Sequence, residues 1–243
     1  MSVARTAEDA PGPAAPALGS VAPRSPGSLD RRSAARERRS ERAARLGRIS
    51  ANLVGAAGAA FFAQATLRVY LQTHRFLGGA FFAEQMWVVV AYLVRRPARA
   101  VSRRPVDWLL AFGGTFGGVL FRPDGAHLAW GVTAGFVVQL LGLAICVASF
   151  LTLGRSFGFV AADRGLVRRG PYAVVRHPIY ASYLLLQSGY LLQSLSLRNA
   201  IVMVFASGCN VGRAIAEDRL LATNGQYGGY RRAVRWRLVP GVW

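Results

Sequence analysis

Apolar residues in this chain do not alternate with polar ones; they run together. From residue 49 onward apolar stretches recur with basic breaks between them, over 49–67, 76–94, 106–121, 128–151, 179–197 and 199–211. A helix needs about 20 residues to cross the ~30 Å hydrocarbon core of a bilayer, and its backbone polar groups must be satisfied within the helix itself. The pattern predicts an all-α polytopic membrane protein with about six transmembrane helices, five being the next count. The third and sixth stretches are short, which implies little tilt, local thinning of the bilayer or half of a tight hairpin.

Composition sharpens this picture. Over 243 residues, 53% are hydrophobic and 17% charged, and apart from Glu84 and Asp107 the charges lie between the apolar runs rather than among them, which excludes an ordinary water-soluble globule. A net charge of +19 fits either nucleic acid or an anionic membrane surface. Clustering of arginine beside the apolar spans selects the membrane, with membrane lipids as partners and no nucleic acid. All 30 basic residues are arginine, a bias we read as compositional rather than chemical. If the first span starts in the cytoplasm, the inner segments hold 26 arginines and the outer segments 4; without the N-terminal tail the split is still 16 to 4. The positive-inside rule then predicts both termini in the cytoplasm, and the composition suggests a bacterial inner membrane. Nothing in the sequence sets the oligomeric state.

Residues 1–48 are Ala, Pro, Ser and Arg with almost nothing large and apolar. Such a segment buries too little surface to offset its ordering entropy, so it is expected to be a disordered basic cytoplasmic tail touching anionic lipid. Its acidic residues argue against a transit peptide, and no apolar core with a cleavage site precedes Arg31. The integral membrane domain is then 49–243.

Within the spans, Cys146 and Cys209 lack metal-ligand spacing and are expected to pack as buried thiols, with no metal site. Asp107 follows Pro105 and suits the first turn of a helix. Glu84 lies mid-span, where a carboxylate is expected to be protonated, paired or functional. The pairs Gly113-Gly114 and Gly117-Gly118 form a small-residue face for close helix packing.

Two polar clusters remain. The longest interruption, 152–178, holds Leu153-Gly154-Arg155 and then Gly170-Pro171-Tyr172 and Arg176-His177-Pro178, with Tyr180 just inside the next helix. A Gly-Pro turn, an Arg-His pair and a proline at a helix entrance make a rigid polar elbow. The second cluster follows the last span: Arg213, Glu217-Asp218, Gly225, Tyr227, Tyr230 and the basic aromatic end Arg235-Trp236-Arg237. Taken singly, Arg213 and Glu217 are a surface ion pair four residues apart, and the elbow is a set of interfacial side chains. A two-helix hairpin joins the clusters on one side of the membrane, so together they form a candidate site.

These residues resemble the isoprenylcysteine carboxyl methyltransferases and their relatives among the phospholipid N-methyltransferases, over roughly 150–240. The matching pieces are Leu153-Gly154-Arg155, Gly170-Pro171-Tyr172, Arg176-His177-Pro178 with Tyr180, Glu217-Asp218, and Gly225 with Tyr227 and Tyr230. Ala181, Asn224 and Asp218 depart from the pattern, where Gly, an aromatic residue and a second Glu are common.

The resemblance implies an integral membrane methyltransferase that uses S-adenosylmethionine at a cytoplasmic-side site. By it, Gly170, Pro171, Tyr172, Arg176, His177, Tyr180, Glu217, Tyr227 and Tyr230 contribute to cofactor binding. His177 and Tyr180 hold the cofactor from the elbow, Glu217 takes its ammonium, and backbone groups of the Gly170-Pro171-Tyr172 turn meet the adenine edge. Arg213 and Glu217 are the candidates for catalysis, Arg213 orienting an anionic acceptor. The acceptor is expected to be a lipophilic small molecule or lipidated substrate, with a carboxylate favoured over an amine. The other readings are a phospholipid N-methyltransferase, a sterol-type reductase using NADPH, and a non-catalytic membrane scaffold.

Overall fold

The computed structural model describes residues 28–74 and 76–243. The chain divides into two compact units, residues 1–45 and 46–243. In the first, the described residues 28–45 are helical, the beginning of α1 (Ser28–Thr73). The disordered tail expected over 1–48 is thus helical from residue 28, because its Ala, Arg and Glu are good helix formers even where they bury nothing. Residues 1–27 lie outside the described residues.

The second unit continues with α2 (Phe76–Val94), α3 (Pro105–Phe116), α4 (Ala129–Leu153), α5 (Pro178–Gln193), α6 (Leu197–Leu221) and the short α7 (Tyr227–Ala233). The fold is the expected all-α polytopic membrane protein. Each of the six apolar stretches contains a helix, but among the described residues four are long and apolar enough to span, within α1, α2, α4 and α6. The third stretch is short as expected, its helix being α3, but the other short helix is α5, in the fifth stretch, rather than the sixth. The sixth helix runs 25 residues, well past residue 211, since backbone hydrogen bonds do not stop where side chains turn polar.

Local chemistry sets several boundaries. Pro105 and Pro178 open α3 and α5, where a missing N–H costs nothing. The Ser196 hydroxyl caps α6 by accepting from the Asn199 N–H at 3.1 Å. Gly154 ends α4 with φ +52°, in the left-handed region that glycine enters freely.

Helices α4 and α5 meet along glycine. A Cβ on Gly135 would overlap the Gly189 carbonyl, and one on Gly189 would overlap Gln139. Helices α3 and α6 meet where Gly113 and Gly117 face Cys209 and Ala206, so the expected small-residue face is real apart from Gly118, where a Cβ would meet open space. Outward faces are apolar: Phe61, Leu109, Val137 and Val204 are each more than half exposed, as lipid-facing side chains are.

The connections gather at two ends. At one, Ala126 bridges Leu195, and the buried Asn199 side chain serves Arg122 and Ser194. At the other, β1 (Ala100–Val101) pairs antiparallel with β2 (Ala162–Asp163), and Arg96 N–H donates to the Arg155 carbonyl at 2.7 Å. The segment after α7 returns to this second end, where Arg176 and His177 N–H groups donate to the carbonyls of Trp236 and Arg237, both at 2.9 Å. The elbow before α5 is thereby locked from two directions.

The two acidic residues singled out within the spans both have polar neighbours. Asp107, in the first turn of α3, accepts from Arg219 of α6 at 2.7 Å and from the Ser102 hydroxyl. Glu84 is buried, accepts from Gln85 at 2.7 Å and lies 4.0 Å from the Cys146 thiol, with no arginine paired to it among the described residues. Cys146 and Cys209 are buried free thiols.

Candidate functional site

The elbow is built on Gly170, whose φ of +57° and whose contact with Thr152 leave no room for a Cβ. Pro171 then fixes the 170–173 turn, its carbonyl accepting from Val174 and Val175. His177 is the residue before α5 and is buried. Its Nε2 lies 2.8 Å from Asp218 Oδ1, and its Nδ1 lies 3.4 Å from Glu217 Oε2. One imidazole thus bridges two adjacent carboxylates of α6.

Asp218 is the centre of the polar network. Besides His177 it takes the Tyr227 hydroxyl on Oδ1, Arg237 Nε on Oδ2 at 2.7 Å, and Arg176 Nη1 at 3.0 Å. The Arg176 contact is an ion pair off the line required for a hydrogen bond, and that nitrogen has no other partner. Glu217 is the more open of the two acids, with a side chain 26% exposed, and accepts from the Tyr180 hydroxyl at 2.5 Å. Tyr230 donates to the Tyr172 carbonyl at 2.7 Å, tying α7 to the turn. Asn224, where the resemblance leads one to expect an aromatic residue, donates to Asp163 at 3.1 Å and pins the loop that follows β2.

Several of these groups face an open cleft. Tyr172, Arg176, His177, Tyr180, Glu217, Tyr227 and Tyr230 line it, so seven of the residues picked out in the sequence are brought together. Gly170 and Pro171 shape the turn without lining the cleft. Arg213 does not line it either and does not pair with Glu217: it lies 4.9 Å over the Tyr180 ring and donates to the Phe159 carbonyl at 2.8 Å. Sequence reasoning assigned no role to the stretch 153–167, although Phe157, Gly158, Val160 and Arg164 form one wall. Beyond the Leu153-Gly154-Arg155 match, its signal was a polar break with three glycines. Arg237 was noticed as part of a basic end and not as a partner of Asp218.

Burial opposes charging the His177 ring, but hydrogen bonds and charges from Asp218 and Glu217 outweigh it and raise its pKa above the ordinary histidine value. Burial likewise raises the phenols of Tyr172 and Tyr230, the latter to about 12, so both remain neutral hydrogen-bond donors. A raised folded-state pKa stabilises the fold most below the unfolded histidine value and loses that contribution as pH rises through the folded one. The melting temperature in detergent is therefore expected to fall as pH climbs above the ordinary histidine range, and His177→Gln is expected to flatten that slope. An identical slope in the variant would assign the dependence to another group.

Fold and site together define a polytopic α-helical membrane protein with a polar, acid-containing cleft at one end of its helix bundle. Residues 130–225, from the start of α4 to just beyond α6, match the phospholipid methyltransferase family. The match indicates a methyltransferase whose acceptor is lipid-related, and it bears out the resemblance read from the elbow and the acidic pair. No curated protein matches the chain.

Proposed function

We propose that the chain transfers a methyl group from S-adenosylmethionine to a carboxylate on a lipophilic acceptor, at the cytoplasmic face of a bacterial inner membrane. When bound, the cofactor supplies an electrophilic methyl on a sulfonium centre. The residues present fit it: a half-open acid, Glu217, for an ammonium group, and the Tyr172, Tyr180 and Tyr230 walls for an adenosine. His177 holds Glu217 and Asp218 in place rather than meeting the ligand with a free nitrogen.

The observation that carries the choice of acceptor is the commitment of both imidazole nitrogens. An amine acceptor must lose a proton, and among the described residues lining the cleft no base is left over: His177 bridges two carboxylates, and Glu217 is taken by the Tyr180 hydroxyl and, on this reading, by the cofactor ammonium. A carboxylate acceptor needs no base, and its charge is neutralised as it attacks a cationic centre, a change that a dry site favours. Arg213 supports the same reading. Its Nε is buried without a hydrogen-bond partner, and Phe112 and Phe116 pack with Phe159 beside it, apolar surroundings suited to a lipid chain.

The test is incubation of the purified protein with membrane lipid extract and methyl-labelled cofactor. Label is expected in the organic phase and released as volatile methanol by mild alkali, as from a methyl ester. Alkali-stable label on a lipid amine would establish N-methylation instead. No transfer, together with thermal stabilisation by NADPH and none by S-adenosylhomocysteine, would replace the transferase with a reductase. No transfer and no response to either ligand would leave a scaffold.

A further inference from the structure

Three cationic side chains line the cleft: Arg164, Arg176 and His177. Two are paired, His177 with both acids and Arg176 with Asp218. Arg164 is different. It is half-buried, its Nε donates to the Arg96 carbonyl at 3.2 Å, and among the described residues no carboxylate pairs with it. Its terminal nitrogens make no hydrogen bond within the described chain. Nη1 occupies the place a side chain at Gly158 would take, so the glycine leaves room for the guanidinium beside the cleft.

A half-buried guanidinium with no anion beside it, its terminal nitrogens still open toward the cleft, is a ready partner for a negative charge. Asp163 is adjacent in sequence but is committed to Asn224 and to the Gly165 N–H. Glu217 lines the same cleft, and its charge acts favourably on Arg164, yet the two are not within ion-pair distance of each other. The cleft therefore presents a cation and an anion from different elements, separated and facing one space. A zwitterion carrying an ammonium and a carboxylate on one carbon meets both requirements.

We propose that Arg164 binds the carboxylate of the amino acid moiety of the cofactor, opposite Glu217 at its ammonium. This inference rests on the cofactor reading above. Burial, then the neighbouring Arg95, lowers the guanidinium pKa to about 10, so the group is still charged at neutral pH and available for two parallel hydrogen bonds to a carboxylate.

Two ligands separate this role from general support of the cleft. S-adenosylhomocysteine carries the amino acid moiety; 5′-methylthioadenosine has the same adenosine and thioether without it. Calorimetric titration of the detergent-solubilised full chain is expected to show that Arg164→Ala and Arg164→Gln weaken S-adenosylhomocysteine binding about 10- to 100-fold. Affinity for 5′-methylthioadenosine is expected to stay unchanged, which also reports that the cleft is folded. The glutamine variant keeps a donor for the Arg96 carbonyl, so a defect of the loop alone is repaired in it. Equal weakening of both ligands in Arg164→Gln, or no change in either, overturns the assignment to the carboxylate. Failure of the unaltered chain to bind either compound instead overturns the cofactor reading, and the role of Arg164 with it.

Discussion

Asp218→Ala is expected to cost the protein about 3–5 kcal/mol, the range for removing one partner from a buried charge network. The reason is what the substitution leaves behind. Asp218 is buried and holds two arginines, a histidine and a tyrosine hydroxyl. Without it, Arg176 loses its counter-ion while its Nε already lacks a hydrogen bond, His177 retains only the longer contact with Glu217, and Arg237 no longer anchors the returning C-terminal segment. Asn at this position keeps acceptor capacity but not charge, so a smaller loss is expected. Thermal unfolding in detergent checks both variants, and unfolding of Asp218→Ala at the temperature of the unaltered protein would show that the network does not hold this end of the bundle together. The same variant is expected to lose S-adenosylhomocysteine binding, as a consequence of the disrupted elbow rather than of a missing contact.

The helices were legible in the sequence where apolar character and helix length coincide. Helix α2 occupies the same residues as its apolar stretch, and α4 departs from its stretch by one residue at the start and two at the end. Hydropathy failed at α6, because Arg213, Glu217 and Asp218 read as the end of a span. They are instead its last turns, made tolerable inside by partners that come from the elbow and the C-terminal segment. It failed at residues 28–48 for the opposite reason, since helix formers without an apolar face give no burial signal but still favour the helix.

The site was legible as two clusters, and their meeting followed from the hairpin of α5 and α6. What the sequence hid was the division of labour between Glu217 and Asp218. Consecutive helical residues point about 100° apart, so neighbours in sequence face different partners, and only the return of Arg237 shows which of them is enclosed. The wall formed by 157–164 was hidden as well, because an irregular loop has no periodicity and its placement depends on the two-residue pairing of β1 with β2.

Glu217→Ala is expected to separate binding from stability in the way that Asp218→Ala does not. Its side chain is partly open to the cleft, His177 keeps the 2.8 Å contact with Asp218 when it is removed, and Tyr180 keeps its stacking against Arg213. The fold therefore retains the network's centre, and the melting temperature is expected to move little. A ligand ammonium, by contrast, loses its charged acceptor, and an ionic hydrogen bond of this kind contributes about 1.5–3 kcal/mol. S-adenosylhomocysteine affinity is accordingly expected to fall about 10- to 100-fold, measured by calorimetry on the same preparations used for unfolding. Glu217→Gln retains an acceptor for Tyr180 but loses the charge, and is expected to bind nearly as poorly as the alanine variant. Were Glu217→Ala to unfold as readily as Asp218→Ala while the folded fraction bound ligand normally, the two acids would be one structural unit, and the ammonium would have to be sought at another group in the cleft.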